Sequence, residues 1–379
     1  MAIYKEKDYV IFDINNKRLL RSPNANYNFS KITGEMKTWG KTLEEDVEKF
    51  PAPTILDFEI TTICYGIGGT EDIDEEFNKE IGFQKKKGIL CPFCYKSNSG
   101  FKGKNLSFEK FKQVFDKLPK SLTQVAFGAD SKCKTNPDLW KMMEYARKNG
   151  VIPNITAAQV DKETAKLIHS LCGAAAISRY HDANIFAESV QNLTDLNTLD
   201  GKYLAVNCHM MISEETYQRS LDLIEQVIND PRLSKLNAIV FLALKTKGRG
   251  ASFHPLSQKK FNNLVQLCKD NHLNYGFDSC GSLKFFKSLS ENEYDEMGKY
   301  IQPCESTLES SYINVDGEFF PCSFTEGTEG WGSGINIIEC NDFVDDVWNS
   351  PRTEEFRSKL LATKKNNKFG CRNCPIYKI

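Results

Sequence analysis

Thirteen cysteines stand out in a chain of 379 residues. Two form the pair Cys91-Pro92-Phe93-Cys94, with Cys64 upstream of it. A second pair, Cys371-Arg372-Asn373-Cys374, lies far along the sequence and is preceded by Cys304 and Cys322. The count is odd and the spacings uneven, so the set does not read as a disulfide framework. Thiolates in C-x-x-C pairs are ligands for zinc or for iron–sulfur clusters. Only five histidines are present, none in an H-E-x-x-H pattern, which favours a thiolate-rich site over an imidazole-rich one. Three thiolates on one loop hold three irons of a 4Fe–4S cube and leave the fourth iron open to a small chelating ligand, as catalysis requires. A lone C-x-x-C suits structural zinc better, so the surrounding elements have to decide.

From Pro53 onward, short apolar runs alternate with helical patterns. Strands are expected over 54–63, 124–127, 151–157, 174–178, 203–211, 238–244 and 274–278. A helix follows Ser107, with the apolar face Phe108, Phe111, Val114, Phe115 and Leu118. Others start at Asn136-Pro137 and Asp161, and near Ala183, Ser213 and Ser257. This β-α alternation, repeated about six times, predicts an α/β fold with a parallel sheet, best matched by a partial (β/α)6 TIM-like barrel. Chemistry then belongs at the C-terminal strand ends, where Cys64, Asp130, Arg179, His209, Lys245 and Cys280 fall. Residues 53–288 are assigned to this barrel. Residues 1–52 form an accessory N-terminal segment with a hairpin turned at Asn15-Asn16. Residues 289–379 form a small C-terminal domain. Its hairpin pairs Tyr312–Val315 with Glu318–Phe320 through Asp316-Gly317, and its last helix opens at Ser350-Pro351.

Apolar residues make up 40% of the chain and charged residues 26%, which excludes a mostly disordered protein. Lys+Arg 49 against Asp+Glu 50 leaves a net charge of −1, so no basic field points to bulk nucleic-acid binding. No apolar run approaches the ~20 residues that span a bilayer. Met1 to Asp8 lacks an apolar signal core, and the expected location is the cytoplasm.

With the strand context in place, the first cysteine set resembles that of the radical S-adenosylmethionine (SAM) superfamily, whose signature is C-x3-C-x-aromatic-C after the first barrel strand. Cys91-Pro92-Phe93-Cys94 matches its final part. The departure is the first gap: twenty-six residues, Tyr65 to Leu90, precede Cys91. They include Gly66, Gly68 and Gly69, an acidic stretch from Glu71 to Glu76, and Lys85-Lys86-Lys87. The resemblance implies a 4Fe–4S cluster on Cys64, Cys91 and Cys94 and SAM on its open iron, with Phe93 on the adenine side. Gly128 and Asp130 stand where the family's Gly-Gly-Glu motif holds the SAM ammonium group. Thr156 falls where polar residues lie near the cofactor, and Ser178 and Arg179 where groups grip the ribose and carboxylate. The resemblance further implies that a flavodoxin- or ferredoxin-type donor reduces the cluster, that SAM is cleaved to methionine and a 5′-deoxyadenosyl radical, and that this radical takes a hydrogen from substrate.

The second set resembles the auxiliary-cluster domains of the same superfamily. Twelve residues separate Cys304 from Gly317 and four separate Gly317 from Cys322, the opening of the SPASM motif. The motif's later cysteines are missing, as in the truncated Twitch form. Cys304, Cys322, Cys371 and Cys374 are then the ligands of one auxiliary 4Fe–4S cluster, suited to electron transfer; a zinc ribbon is the alternative for such a four-thiolate site. Of the remaining cysteines, Cys172, Cys208 and Cys268 read as core, and Cys133 and Cys340 as loop thiols. Cys280, beside Asp278 after the last barrel strand, is a candidate substrate-side acid/base, thiol or surrogate ligand. Asn207 and His209 share one face of their strand, toward the cavity or the core. Lys245, Lys247 and Arg249 read as a solvated basic loop or an anion grip. The expected substrate is a peptide or small polar metabolite that is oxidised or cross-linked, and the lack of an obvious peptide-recognition domain before the barrel weighs against leader-guided maturation. The competing reading is a zinc-stabilised, non-catalytic binding protein on a barrel scaffold.

Overall fold

The computed structural model describes every residue except 69–87, 101–102, 181, 199–201, 299–300 and 367–370. The first five strands, β1 (Ala2–Lys5), β2 (Val10–Ile14), β3 (Lys17–Arg21), β4 (Asn26–Ser30) and β5 (Met36–Trp39), pair in sequence order as an antiparallel meander. Ile14 faces Lys17 across the turn at Asn15-Asn16, as expected, but the expected hairpin is only two strands of five. In β4 just two apolar side chains, Tyr27 and Phe29, are buried around an exposed Asn28, a weak alternation. They help form a separate small core with Tyr9, Ile11, Leu20 and Phe50. Tyr27 donates its hydroxyl to the Ser121 carbonyl at 2.7 Å, and Arg18 reaches the carbonyls of Leu122 and Asn149. The meander thus covers the N-terminal edge of the main sheet, away from the strand ends that carry the cysteines.

That main sheet has ten strands. Seven of them, β6 (Ile55–Glu59), β7 (Gln124–Gly128), β8 (Ile152–Ala157), β9 (Ala174–Ser178), β10 (Ala205–Ile212), β11 (Ala238–Ala243) and β12 (Tyr275–Phe277), lie side by side in chain order, each parallel to the next. The connections carry α1 (Phe108–Phe115), α2 (Leu139–Lys148), α3 (Lys162–Leu171), α4 (Ala183–Thr194), α5 (Tyr217–Asn229) and α6 (Gln258–Asp270). Strand residues alternate strictly in β10, where Val206, Cys208, Met210 and Ile212 are buried and the others half-buried. The buried face meets the helices, and the other face lines an interior space.

Beyond α7 (Ser282–Phe286) and α8 (Glu291–Met297), the sheet continues. β13 (Ser310–Ile313) pairs in parallel with β6, setting Tyr312 opposite Asp57, and β14 (Glu318–Phe320) and β15 (Ile335–Asn336) follow antiparallel. The last helix, α9 (Pro351–Ala362), is capped by the Ser350 hydroxyl. The change of pattern near residue 290 is therefore no break in the sheet: the C-terminal hairpin is hydrogen-bonded to the first parallel strand.

Two helix starts differ from expectation. α2 begins at Leu139, after a turn in which the Asn136 side-chain oxygen accepts from the Asp138 N–H at 2.9 Å, while its amide donates to the Ile60 and Leu106 carbonyls at 2.7 and 2.9 Å. α5 begins at Tyr217, after Ser213 and Thr216 have closed a turn through reciprocal backbone-to-hydroxyl bonds of 2.8 and 3.1 Å. Cys172, Cys208 and Cys268 are core as expected, but Cys133 and Cys340, expected as loop thiols, are buried too, at 2% and 8% exposure. No helix among the described residues is long and apolar enough to cross a membrane.

Candidate metal centres and the cavity between them

The structure shows how the long gap between Cys64 and Cys91 is closed. Ile67 and Ile89 form an antiparallel bridge, with N–H···O bonds of 3.1 and 2.8 Å in the two directions. A Cβ on Gly66 would lie 2.4 Å from the Ile89 carbonyl oxygen, and one on Gly88 would lie 2.2 Å from that of Tyr65. Only glycine permits that approach. The insertion therefore leaves and returns at one point, and Cys64, Cys91 and Cys94 line one cavity of about 420 Å³. Gly69, the acidic run 71–76 and Lys85-Lys86-Lys87 lie outside the described residues.

The C-x-x-C loop is held from the turn after β11. Arg249 donates Nε to the Cys91 carbonyl and Nη1 to that of Asn98, both at 3.0 Å, and its backbone N–H to the Cys94 carbonyl at 2.9 Å. Gly248 has φ +58°, and a Cβ there would meet the Tyr95 carbonyl oxygen at 2.4 Å. Arg249 thus corrects the solvated-loop reading, and the flanking Gly248 and Gly250 were the signal available in the sequence. A hydrogen bond from the Cys91 thiol pulls the Cys94 thiol down to about 5 and pushes Cys91 far up. Two sulfurs sharing a proton at the mouth of a cavity suit a thiolate-ligated centre, whose binding releases protons.

Around this loop, the strand-end residues divide. Phe93 packs edge-on against Tyr180 and Phe253, with ring centroids 5.7 and 6.2 Å away, and it lines a neighbouring cavity together with Ser178. Thr156 faces both that space and the cavity of the three cysteines, and Gly128 faces the latter. Asp130 lies on its wall, but its carboxylate is taken up by the following loop. It accepts from the backbone of Lys132, Lys134 and Thr135, each at 3.0 Å, and from the Thr135 hydroxyl at 2.9 Å. Arg179 turns away, donating to Gln226 on α5 at 3.1 Å and to the Tyr180 carbonyl at 3.2 Å; the structure does not bring its guanidinium to the cavity wall. Burial lowers the pKa of His209 to about 4 against the opposing charge of Asp278, so its imidazole is neutral. Asn207, one turn of the alternation earlier, accepts from Asn237 at 2.8 Å.

Asp57 on β6 and His209 on β10 line the same cavity. On a flat sheet, four strand spacings of about 4.8 Å would hold them about 19 Å apart. The sheet therefore curls around the space. Eight residues, among them Asp57, Cys91, Cys94, Tyr180 and His209, also line an adjoining cavity of about 470 Å³. Its far wall carries Cys280, Cys304, Cys322 and Cys374.

Cys304 and Cys322 stand before β13 and after β14, at the open end of the hairpin. Burial pushes their thiols up to about 12 and about 11. Arg372 ties the terminal pair to them, donating to the carbonyls of Cys304 at 2.6 Å and Pro303 at 3.3 Å. Cys371 sits behind the cavity wall, 1% exposed, with its sulfur 3.3 Å from the Ser282 hydroxyl. Three of the four expected ligands thus share the cavity and the fourth lies behind it. Among the described residues no three His, Cys, Asp or Glu side chains converge on the position of one metal ion; the thiolates of a cube occupy separate corners and need not converge on one point.

Asp278 is committed beside this wall. It accepts from the Ala243 and Gly281 backbones at 3.1 and 3.0 Å and pairs with the buried Lys245. Burial acts against the Lys245 ammonium, but Asp278 and Cys280 outweigh it and raise its pKa. Cys280 adjoins this pair, its thiol pushed well up by burial. Sequence reasoning missed the link between the two centres. The Phe324 ring packs against Tyr95, tilted, with centroids 4.5 Å apart, and its carbonyl accepts from Lys247 at 3.3 Å and Tyr377 at 3.0 Å. Lys96 pairs with the buried Glu59 at 3.1 Å and with Glu326.

Residues 304–375 match the SPASM family, described as an iron-sulfur cluster-binding domain. This supports an iron–sulfur site at the second cysteine set. No curated protein matches the chain. Among solved structures, the HpcH/HpaI aldolase from Desulfitobacterium hafniense DCB-2 aligns with 51% of this chain and 77% of its own, at 10% identity and a TM-score of 0.30.

Proposed function

We propose that the chain is a radical SAM enzyme with one auxiliary 4Fe–4S cluster. The reading rests chiefly on one observation: Cys91 and Cys94 line both the cavity they share with Cys64 and the adjoining one lined by Cys304, Cys322 and Cys374. We read the curled parallel sheet as a partial (β/α)6 barrel, with the first centre at its C-terminal strand ends and the second at the open end of the β13–β14 hairpin. Cys64, Cys91 and Cys94 would hold the first cluster, and Cys304, Cys322, Cys371 and Cys374 the auxiliary one. When bound and reduced, the first cluster supplies the electron that cleaves SAM to methionine and a 5′-deoxyadenosyl radical.

The chain's own contribution is position and exclusion of water. Arg249 and Gly248 pin the C-x-x-C loop. The Phe93 ring offers a flat wall to the adenine. The backbone of Gly128 and Ala129 and the Ser178 hydroxyl present polar groups to the amino acid and ribose portions; the Asp130 carboxylate shapes its loop instead. Neutral His209 offers the substrate a hydrogen bond. The Lys245–Asp278 pair stiffens the wall between cavity and auxiliary centre, and places the Cys280 sulfur on the substrate side. A flavodoxin- or ferredoxin-type protein would deliver the electron, and the substrate would be oxidised or cross-linked.

The test is anaerobic. Protein reconstituted with iron and sulfide should hold about eight irons per chain, two cubes' worth, and should form 5′-deoxyadenosine when given dithionite and SAM. Tightly bound zinc, with neither iron nor product, would show the cysteines to be structural and end the proposal.

A further inference from the structure

Asp57 has no part in the roles assigned above. It lies in the middle of β6 between Leu56 and Phe58, which are fully buried toward the helices. Its carboxyl points the other way and lines both parts of the cavity. It is open to that space and enclosed by protein around it. Among the described residues no hydrogen bond or ion pair engages it.

Among the described residues, the cations nearby are committed elsewhere. Lys96 pairs with Glu59 and Glu326, and Lys245 with Asp278. Lys247, Arg249 and Arg372 donate to backbone carbonyls, and Arg179 turns toward Gln226. Glu305 adds a second carboxylate to the same wall. The other ionisable side chains facing the space are chiefly thiols and tyrosines, which bring no positive charge. A carboxylate that faces a cavity with no cation beside it either takes up a proton or is stabilised by a ligand that brings the counter-charge. A cation entering this cavity would bring it.

We propose that the substrate carries a protonated amine or guanidinium group and that Asp57 is the carboxylate that receives it. Calling this ligand a substrate rests on the radical-enzyme reading; the charge argument does not. A guanidinium would meet the carboxylate through paired N–H donors, and an ammonium through one. His209, across the cavity, can accept a further N–H.

The experiment is equilibrium binding to the whole reconstituted chain, comparing putrescine and agmatine with butanediol and succinate, which share their carbon spacing but not their charge. The two cations should bind, and the diol and the dianion should not. Asp57→Asn should weaken cation binding about tenfold or more, the share of a charge-assisted hydrogen bond. Asp57→Ser should do the same, and Asp57→Glu should retain it. Equal binding of butanediol, undiminished cation binding in both Asn and Ser variants, or no cation binding at millimolar concentration would each overturn the assignment. Iron content and 5′-deoxyadenosine formation are measured on the same samples. Asp57-dependent cation binding without product would overturn the enzyme reading alone.

Discussion

The two cysteine sets are held by opposite means. Cys91 and Cys94 sit on a loop with no regular structure, clamped through its carbonyls by Arg249 and by the close approach of Gly248. Cys64 joins them only because Gly66 and Gly88 let the ends of an insertion touch. Cys304 and Cys322 instead flank a hairpin that is itself part of the main sheet, hydrogen-bonded to β6. The first arrangement leaves three thiols facing a cavity with room for another ligand. The second draws on four cysteines, one of them buried behind the wall. A centre meant to bind substrate or cofactor needs an open position, whereas an electron relay gains from closure and rigid support. In the reading proposed above the first is the open centre and the second the relay, and contacts of Phe324 with Tyr95 and of Lys96 with Glu326 join the two regions.

The largest effect that would break this comparison comes from the thiols themselves. Cys94→Ala should abolish 5′-deoxyadenosine formation, because the open cluster loses one of only three protein ligands. The double variant Cys371→Ala/Cys374→Ala should lose about four irons per chain, one cube, and still cleave SAM without coupling to substrate. Product from the Cys94 variant would sink the ligand assignment, and unchanged iron in the double variant would refute the auxiliary site.

A smaller effect should follow from Gly248→Ala. The left-handed backbone alone costs about 1–2 kcal/mol for a residue with a side chain. The added Cβ would also be driven into the Tyr95 carbonyl. The strain falls on the C-x-x-C loop and not on the hairpin, so iron should be lost from the first centre first. Absorption and iron counts on this variant, set beside the double-cysteine variant, would show whether the two centres load independently. Equal loss from both would mean that the shared Phe324 contact couples them.

Much of this was legible in the sequence where local physics and tertiary demand agree. The parallel strands read as apolar runs because one face of each is buried under helices and the other is half-buried around the interior space. Ser107 caps α1 by accepting from the Lys110 N–H, and Gly317, at φ +78°, turns the C-terminal hairpin as Asp316-Gly317 foretells. What escaped depends on long-range partners. Arg249 looks like a solvated charge until the Cys91 carbonyl is placed against it. Tyr180 and Asp57 gain meaning only when the sheet curls and brings distant strands to one cavity. β1, β4 and β5 were missed because β4 buries only two aromatics and β1 and β5 bury no side chain fully, too little periodicity to read. The Asn136 oxygen does receive the Asp138 N–H as its cap signature foretells, but its amide's anchoring to the Ile60 and Leu106 carbonyls was not legible.

The smallest and most discriminating variant is Asp130→Asn. Family resemblance places this acid at the SAM ammonium group, whereas the geometry gives its carboxylate four donors from its own loop. An amide in its place would turn an NH2 toward backbone N–H groups and leave at least one of them unsatisfied, a loss of about 1–3 kcal/mol. If the carboxylate serves the loop, thermal stability falls and SAM affinity stays close to wild type, because the neighbouring backbone still faces the cavity. If it serves the cofactor, SAM affinity falls while the melting temperature holds. Calorimetric unfolding together with SAM titration of the same protein separates the two. It thereby tests whether the first centre binds its cofactor through backbone and rings, in contrast to the ion pairs that line the path to the second.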